Sequence, residues 1–312
     1  MEASYETNNN SNNSDHLRKG LVVKGQDAVI AGSISGLLAR LLTAPMDTVK
    51  IRYQLQVKTE HKYTNIVNTF RTIVREEGLL AFWKGNVPAS ILYVLYGSLQ
   101  FTSYAYFNKL IDKNFQLSPQ KHSWIVGTLA GTISSMVTYP FDVLRTRFVA
   151  NRHHRRLRLM DTVMCIKHQE GFLGFFRGYL LSMVTVGASA GIIFGTYETL
   201  TIQSETFNIP WIGNCASTVA AVASKTITFP IDTIRRRMQV MDSSAIDTFT
   251  RHPNTYRSYR GSSFISIATR IIQQEGISSL YKGLSMALCK SAPSTIITLW
   301  TYERVLSLLS TQ

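Results

Sequence analysis

Apolar positions gather into six long stretches, roughly residues 26 to 57, 86 to 111, 123 to 150, 178 to 203, 211 to 240 and 283 to 309. Each predicts a helix of at least the ~20 residues that a bilayer core requires. None is a clean apolar run, because Arg40, Lys225 and Lys290 lie inside them. Hydropathy taken helix by helix is therefore weak evidence for spanning. Six such helices with their charges confined to one stripe nevertheless make a bundle around a water-filled cavity. A soluble solenoid would need polar outer faces, and Leu37, Leu38, Leu41 and Leu42 wrap too much of the first helix for that. Small residues four apart, Gly32 and Gly36, Gly127 and Gly131, Ser217 and Ala221, predict close helix approach in lipid.

The stretches fall into a triplicated order. Three of them contain one pattern: Pro45-Met-Asp47-Thr-Val-Lys50-Ile-Arg52, Pro140-Phe-Asp142-Val-Leu-Arg145-Thr-Arg147 and Pro230-Ile-Asp232-Thr-Ile-Arg235-Arg-Arg237. A polar loop follows, then an amphipathic segment closing in Glu77-Gly78, Glu170-Gly171 or Glu275-Gly276. An aromatic-basic-glycine step comes next: Trp83-Lys84-Gly85, Phe176-Arg177-Gly178 or Tyr281-Lys282-Gly283. Glycine after a helical run caps it, so each Glu-Gly pair marks the end of a surface helix. An internal repeat of this kind sets the architecture. The prediction is an all-α membrane protein of six transmembrane helices in three pseudo-threefold repeats, 25–115, 120–205 and 210–309, each with a short amphipathic helix. The Asn- and Ser-rich segment 1–24 reads as a disordered tail.

Composition sharpens this picture. The chain has 33 Lys and Arg against 19 Asp and Glu, a net charge of +14, yet a mean hydropathy of +0.02. A basic chain this apolar points to a membrane, and bases recurring at fixed places in each repeat do not form the one-sided basic face of a nucleic-acid binder. Cys165, Cys215 and Cys289 have no disulfide or metal spacing, so no metal site is expected. Gly187-Ala-Ser189-Ala-Gly191 fits a nucleophile pattern but lies inside an apolar helix rather than at a strand-to-helix turn. No phosphate-binding loop with lysine is present, so neither enzymology nor a cofactor is expected.

Helical geometry places candidate chemistry. Arg40 and Lys225 stand seven residues, two turns, before Asp47 and Asp232, on the same faces as those acids. Ser135 takes that place in the second repeat. A base at bilayer depth needs a partner or a ligand, and with Lys290 these cations predict an anion site that suits a pyrophosphate. Tyr93, Tyr96, Gln100 and Phe101 would meet an aromatic ring or simply pack. Each acid of the repeated pattern could pair locally with its own base at i+3, or across repeats.

With the repeats laid out, the chain resembles the mitochondrial carrier family over about residues 25 to 310. The wording Ala44-Pro-Met-Asp-Thr48, Trp83-Lys-Gly-Asn-Val-Pro-Ala-Ser90, Tyr96-Gly-Ser-Leu-Gln-Phe101 and Phe229-Pro-Ile-Asp-Thr-Ile-Arg-Arg-Arg-Met-Gln239 is similar to its fungal thiamine pyrophosphate branch. A nucleotide or deoxynucleotide exchanger ranks second, and a membrane scaffold without flux last. The resemblance implies a monomeric, multi-pass protein of the mitochondrial inner membrane that moves a phosphorylated small molecule by alternating access and exchange, with no nucleic-acid partner.

The same resemblance implies roles. Asp47, Asp142 and Asp232 would pair with Arg145, Arg235 and Lys50 as a matrix gate, with Gln54 and Gln239 as braces and Val149 where a third brace would stand. Tyr104, Tyr197, Glu198, Tyr302 and Glu303 would form a cytoplasmic gate. That gate is expected to be weak, because Ala105 replaces an acid and Asn108, Thr201 and Leu306 replace bases. Leu92, Thr185 and Lys290, each seven residues after the glycine that opens its helix, would contact substrate with Arg40, Lys225, Tyr96 and Gln100. Cardiolipin and inner-membrane lipid would be held by Trp83, Lys84, Gly85, Arg177, Gly178, Gly261, Lys282 and Gly283. The basic run Arg152 to Arg158 is expected at the anionic matrix face.

Overall fold

The computed structural model describes residues 16–18, 21–23, 25–57, 62–114, 119–152, 159–207, 210–243, 245–250 and 253–309. Six long helices run over α1 Gly25–Leu55, α3 Asn86–Asn114, α4 Pro119–Ala150, α6 Tyr179–Thr206, α7 Pro210–Val240 and α11 Leu284–Leu309. The amphipathic segments form α2 Ile66–Glu77, α5 Leu159–Gln169 and α10 Phe264–Glu275. Each surface helix stops near a left-handed glycine, Gly78, Gly171 or Gly276, followed by a single 3₁₀ turn. A second left-handed glycine, Gly85, Gly178 or Gly283, then precedes the next long helix.

Two features depart from the pattern read in the sequence. In the segment read as a disordered tail, β1 His16–Arg18 pairs antiparallel with β2 Leu21–Val23, Leu17 opposite Val22. The long polar loop of the third repeat contains α8 Ala245–Phe249 and α9 Pro253–Arg257. Their apolar side chains Ile246, Phe249 and Tyr256 are buried, so short polar spacing concealed an ordered insertion. The basic run after Arg152 lies outside the described residues.

The chain divides into two compact units. One joins residues 1–43 with 291–312. The other, 44–290, holds the main apolar core, where Val49, Leu55, Val149, Val240, Ile267 and Ile271 bring the ends of α1, α4 and α7 against the surface helices. Within this unit α3 packs along α4 and α6 along α7. The outer faces stay apolar: Val94, Phe101 and Tyr106 on α3, and Leu180, Val186 and Phe194 on α6, are exposed large side chains. Apolar surface of this extent suits lipid rather than water. Segments Asp27–Leu55 and Phe172–Thr206 are each long and apolar enough to cross a membrane; Leu79–Lys113 passes the same measure only together with the surface helix α2, from which it is bent by 110°.

Pro45, Pro140 and Pro230 sit inside α1, α4 and α7 without ending them. Two residues before each, Thr43, Thr138 and Thr228 donate their hydroxyls to the carbonyls of Ala39, Ser134 and Ser224 at 2.8, 2.7 and 2.7 Å. Such back-bonding, beside a residue with no N–H, bends a helix without breaking it.

Close approach falls elsewhere than the small-residue pairs suggest. A Cβ on Gly127 or Gly131 would meet nothing within 4 Å. One on Gly85 would stand 2.8 Å from the Arg145 carbonyl oxygen, one on Gly283 3.1 Å from that of Lys50, and one on Gly178 3.4 Å from that of Arg235. Each glycine abuts the backbone of the base in the next repeat. Gly85→Ala combines this clash with a left-handed φ of 79°, at a cost of about 1–3 kcal/mol. A marked fall in the thermal midpoint is expected in detergent for Gly85→Ala and none for Gly127→Ala, measured by intrinsic fluorescence.

Candidate functional site

The acids and bases of the repeated pattern meet across repeats. Lys50 Nζ lies 2.7 Å from Asp232 Oδ2, Arg145 2.6 Å from Asp47 Oδ2, and Arg235 against Asp142 Oδ2. The local i+3 alternative is represented among the described residues only by Arg235 and Asp232, at 3.9 Å. The pairs are nearly buried, with side-chain exposure of 9–14%, so each charge depends on its partner for neutralisation.

Support for the three pairs is unequal. Gln54 Nε2 donates to Asp232 Oδ2 at 3.3 Å, and Gln239 Nε2 to Asp142 Oδ2 at 2.8 Å. Lys50 also lies over the Phe229 ring and Arg235 over that of Tyr139, the aromatics just before Pro230 and Pro140. Asp142 receives a further cation, Arg236, at 3.0 Å. Asp47 instead receives Lys290 on Oδ1 at 2.6 Å. Lys290, read from the sequence as a substrate contact, thus lies on an acid of the ring.

A second layer, beyond the first along the helices, went unread in the sequence. Arg52, Arg147 and Arg237 make two-pronged contacts with Glu77, Glu170 and Glu275, the acids before the surface-helix glycines. Each arginine also donates Nε to a carbonyl nine residues past the next repeat's proline: Arg52 to Val149 at 3.3 Å, Arg147 to Gln239 at 3.0 Å, Arg237 to Gln54 at 3.1 Å. The side chain of residue 149 varies while its carbonyl keeps the threefold role. Both halves of this layer recur three times in the sequence, and their shared period is the signal that could have joined them.

The bases of the aromatic-basic-glycine steps form a third layer. Lys84 bonds Glu77 at 2.7 Å and the Asn151 carbonyl at 3.1 Å, Arg177 contacts Glu170 at 3.2 Å and Asp242, and Lys282 donates to the Gln56 carbonyl at 3.3 Å. These cations are committed to contacts within the protein. A cavity of about 370 Å³ opens among Tyr53, Thr64, Asn65, Ile66, Val67, Gly283 and Ser285, at the starts of α2 and α11. Trp83 is exposed at the end of its turn, and left-handed Gly261 precedes α10.

The remaining candidates are less tied together. Lys225 is half-buried on α7, close enough to Asp232 to act on it electrostatically. Arg40 is half-buried on α1 and engaged within the protein. Leu92 and Tyr96 are half-buried on α3 and Gln100 is exposed. The Thr185 hydroxyl donates to the Leu181 carbonyl at 2.7 Å. Tyr104, Tyr197 and Glu198 are exposed, with no hydrogen bond or ion pair joining them among the described residues. Tyr302 is half-buried and Glu303 exposed.

A family model described as mitochondrial carrier protein matches residues 24–115, 118–203 and 209–312, one match per repeat. The chain belongs to the mitochondrial carrier family. A relative from Eremothecium gossypii, named mitochondrial thiamine pyrophosphate carrier 1, is 54% identical over 295 residues, covering 95% of this chain and 93% of that protein. Relatives of the same name from Kluyveromyces lactis and Saccharomyces cerevisiae are 49% and 44% identical, over 94% and 95% of this chain and 94% and 98% of their own lengths. This mitochondrial carrier is therefore a transport protein, not an enzyme.

The second layer has testable energetics in this carrier. Arg237→Met strands Glu275, which is 2% exposed, and should cost about 3–5 kcal/mol, whereas Arg237→Met with Glu275→Leu should recover part of it. Thermal unfolding of the single and double variants measures this. Burial disfavours the Glu77 carboxylate, but Arg52 and then Lys84 outweigh it and hold its pKa below the ordinary value. The stabilisation is therefore present above the unfolded-state pKa, about 4.3, and lost as pH falls through the lower folded value. Glu77→Gln should be less stable at neutral pH and lose less stability on acidification, as read from thermal midpoints across pH.

Proposed function

We propose that this carrier moves thiamine pyrophosphate across the mitochondrial inner membrane, as a multi-pass monomer working by alternating access and exchange. The observation that carries the substrate assignment is the 54% identity, over nearly the whole chain, to a relative bearing that name. The half-buried cations on the long helices agree with it, since charge-assisted hydrogen bonds from Lys and Arg bind phosphate strongly. Lys225 and Lys290 are the proposed phosphate ligands, and Arg40 is a further one. Leu92, Tyr96, Gln100 and Thr185 are the proposed contacts for the organic part.

The ring of Asp47, Asp142 and Asp232 with Arg145, Arg235 and Lys50 is the proposed matrix gate, with Gln54 and Gln239 bracing it. Pairs that cross repeats exist only while three helix ends are together, so opening the gate breaks all of them. Substrate must then contribute the differential affinity between states. Tyr104, Tyr197 and Glu198 are proposed for a cytoplasmic gate, and so, within their own unit, are Tyr302 and Glu303. This gate is proposed to hold less firmly, because Asn108, Thr201 and Leu306 stand where its bases would be and Ala105 where an acid would be. Cardiolipin is the proposed occupant near the starts of α2 and α11, its phosphate taken by backbone N–H groups beside Gly283, with the Gly85, Gly178 and Gly261 turns as equivalents and Trp83 at the lipid boundary.

Purified protein in liposomes loaded with thiamine pyrophosphate should take up the labelled compound. Arg40→Ala, Lys225→Ala and Lys290→Ala should each reduce uptake to background while the protein remains folded. Wild-type rates in all three would remove the anion site. Strong competition by nucleotides would instead favour a nucleotide exchanger.

A further inference from the structure

We propose that Lys290 is a ligand-released latch on the Asp47 carboxylate, filling the place of the brace that the second repeat lacks. The proposal rests on the reading above that the cargo carries phosphate. Two of the ring's three pairs have a buried glutamine beneath them and an aromatic ring beside the base. The third has neither: Val149 stands at the brace position and Ala44 at the aromatic one. Hydrogen bonds from Arg145 and Lys290 occupy the two oxygens of Asp47, at 2.6 Å each.

The substitute differs from a brace in ways that bear on transport. Gln54 and Gln239 are fully buried, whereas the Lys290 side chain is 28% exposed. Its ammonium is a compact point charge on a flexible stem and can turn toward a new anion without moving its helix. A phosphate group carries more negative charge than the Asp47 carboxylate and competes for that ammonium. Once Lys290 turns to the ligand, Asp47 keeps only Arg145 of these two cations, without glutamine or aromatic support. Anion binding therefore weakens one chosen pair, between the first and second repeats. The two braced pairs carry no comparable handle.

The test uses full-length protein in lipid nanodiscs with Cys165→Ser, Cys215→Ser and Cys289→Ser, spin-labelled at Arg71→Cys on α2 and Lys167→Cys on α5. Both positions are exposed. Pulsed dipolar spectroscopy then reads the separation of the first two repeats. Without anion the parent should give one narrow distance. Saturating thiamine pyrophosphate or inorganic pyrophosphate should move the major part of the population to longer distances. Lys290→Ala should be broadened without any anion, Lys290→Arg should remain narrow, and Lys290→Ala with Val149→Gln should be narrow and unresponsive to both anions. Equal narrow distributions for parent and Lys290→Ala overturn the latch, as does a pyrophosphate shift of the same size in both. A shift with inorganic pyrophosphate but none with thiamine pyrophosphate supports the latch and overturns the cargo assignment alone.

Discussion

Arg52, Arg147 and Arg237 are held away from water, and a guanidinium is permanently charged with five donors and no acceptor. Every donor left unmet at such a site destabilises the fold. The chain meets this demand by setting a glutamate at the end of each surface helix and a main-chain carbonyl on the neighbouring repeat against each arginine. The first partner fixes where α2, α5 and α10 lie, and the second requires the neighbouring repeat in register. One interaction, used three times, therefore specifies both the local turn and the threefold arrangement around it.

The layer of aspartates above it is built differently. Its members are somewhat more exposed, and each acid meets its principal base through a single hydrogen bond rather than a two-pronged one. Forked, charge-assisted contacts are stronger than single ones, so the two layers differ in how tightly their charges are held. The glycines Gly85, Gly178 and Gly283 press against the main chain at the bases of this layer. The charges of this layer thus sit on closely fitted backbone, which leaves their helices little room to shift independently.

Much of the architecture was legible because it is written three times. The long helices lie within a few residues of the stretches read from apolar patterning, and the Glu-Gly pairs stand where surface helices stop. Features lacking a counterpart in other repeats were harder to read. Helices α8 and α9 occur in one loop and are too short for periodicity to mark. The second role of Lys290 was hidden because Asp47 lies 243 residues away in sequence. Arg236 was missed for a related reason, since Ile51 and Thr146 occupy the matching positions. Spacing of small residues misled at Gly127 and Gly131, because the same spacing also arises on a helix face that nothing approaches.

The bond from Lys50 to Asp232 spans 182 residues. It closes a circle, since the other two cross-repeat pairs join neighbours in the chain while this one ties the first repeat to the third. A growing polypeptide can form the Asp47–Arg145 pair from its first two repeats, but the other two pairs both wait for the third. Until then Lys50 lacks its acid and Asp142 lacks Arg235, so a nascent chain presents unmatched charges at the seam where the last helices must join. One short stretch of the last repeat, Asp232 to Arg235, therefore supplies the partners for both waiting charges and closes the circle in a single step of the chain.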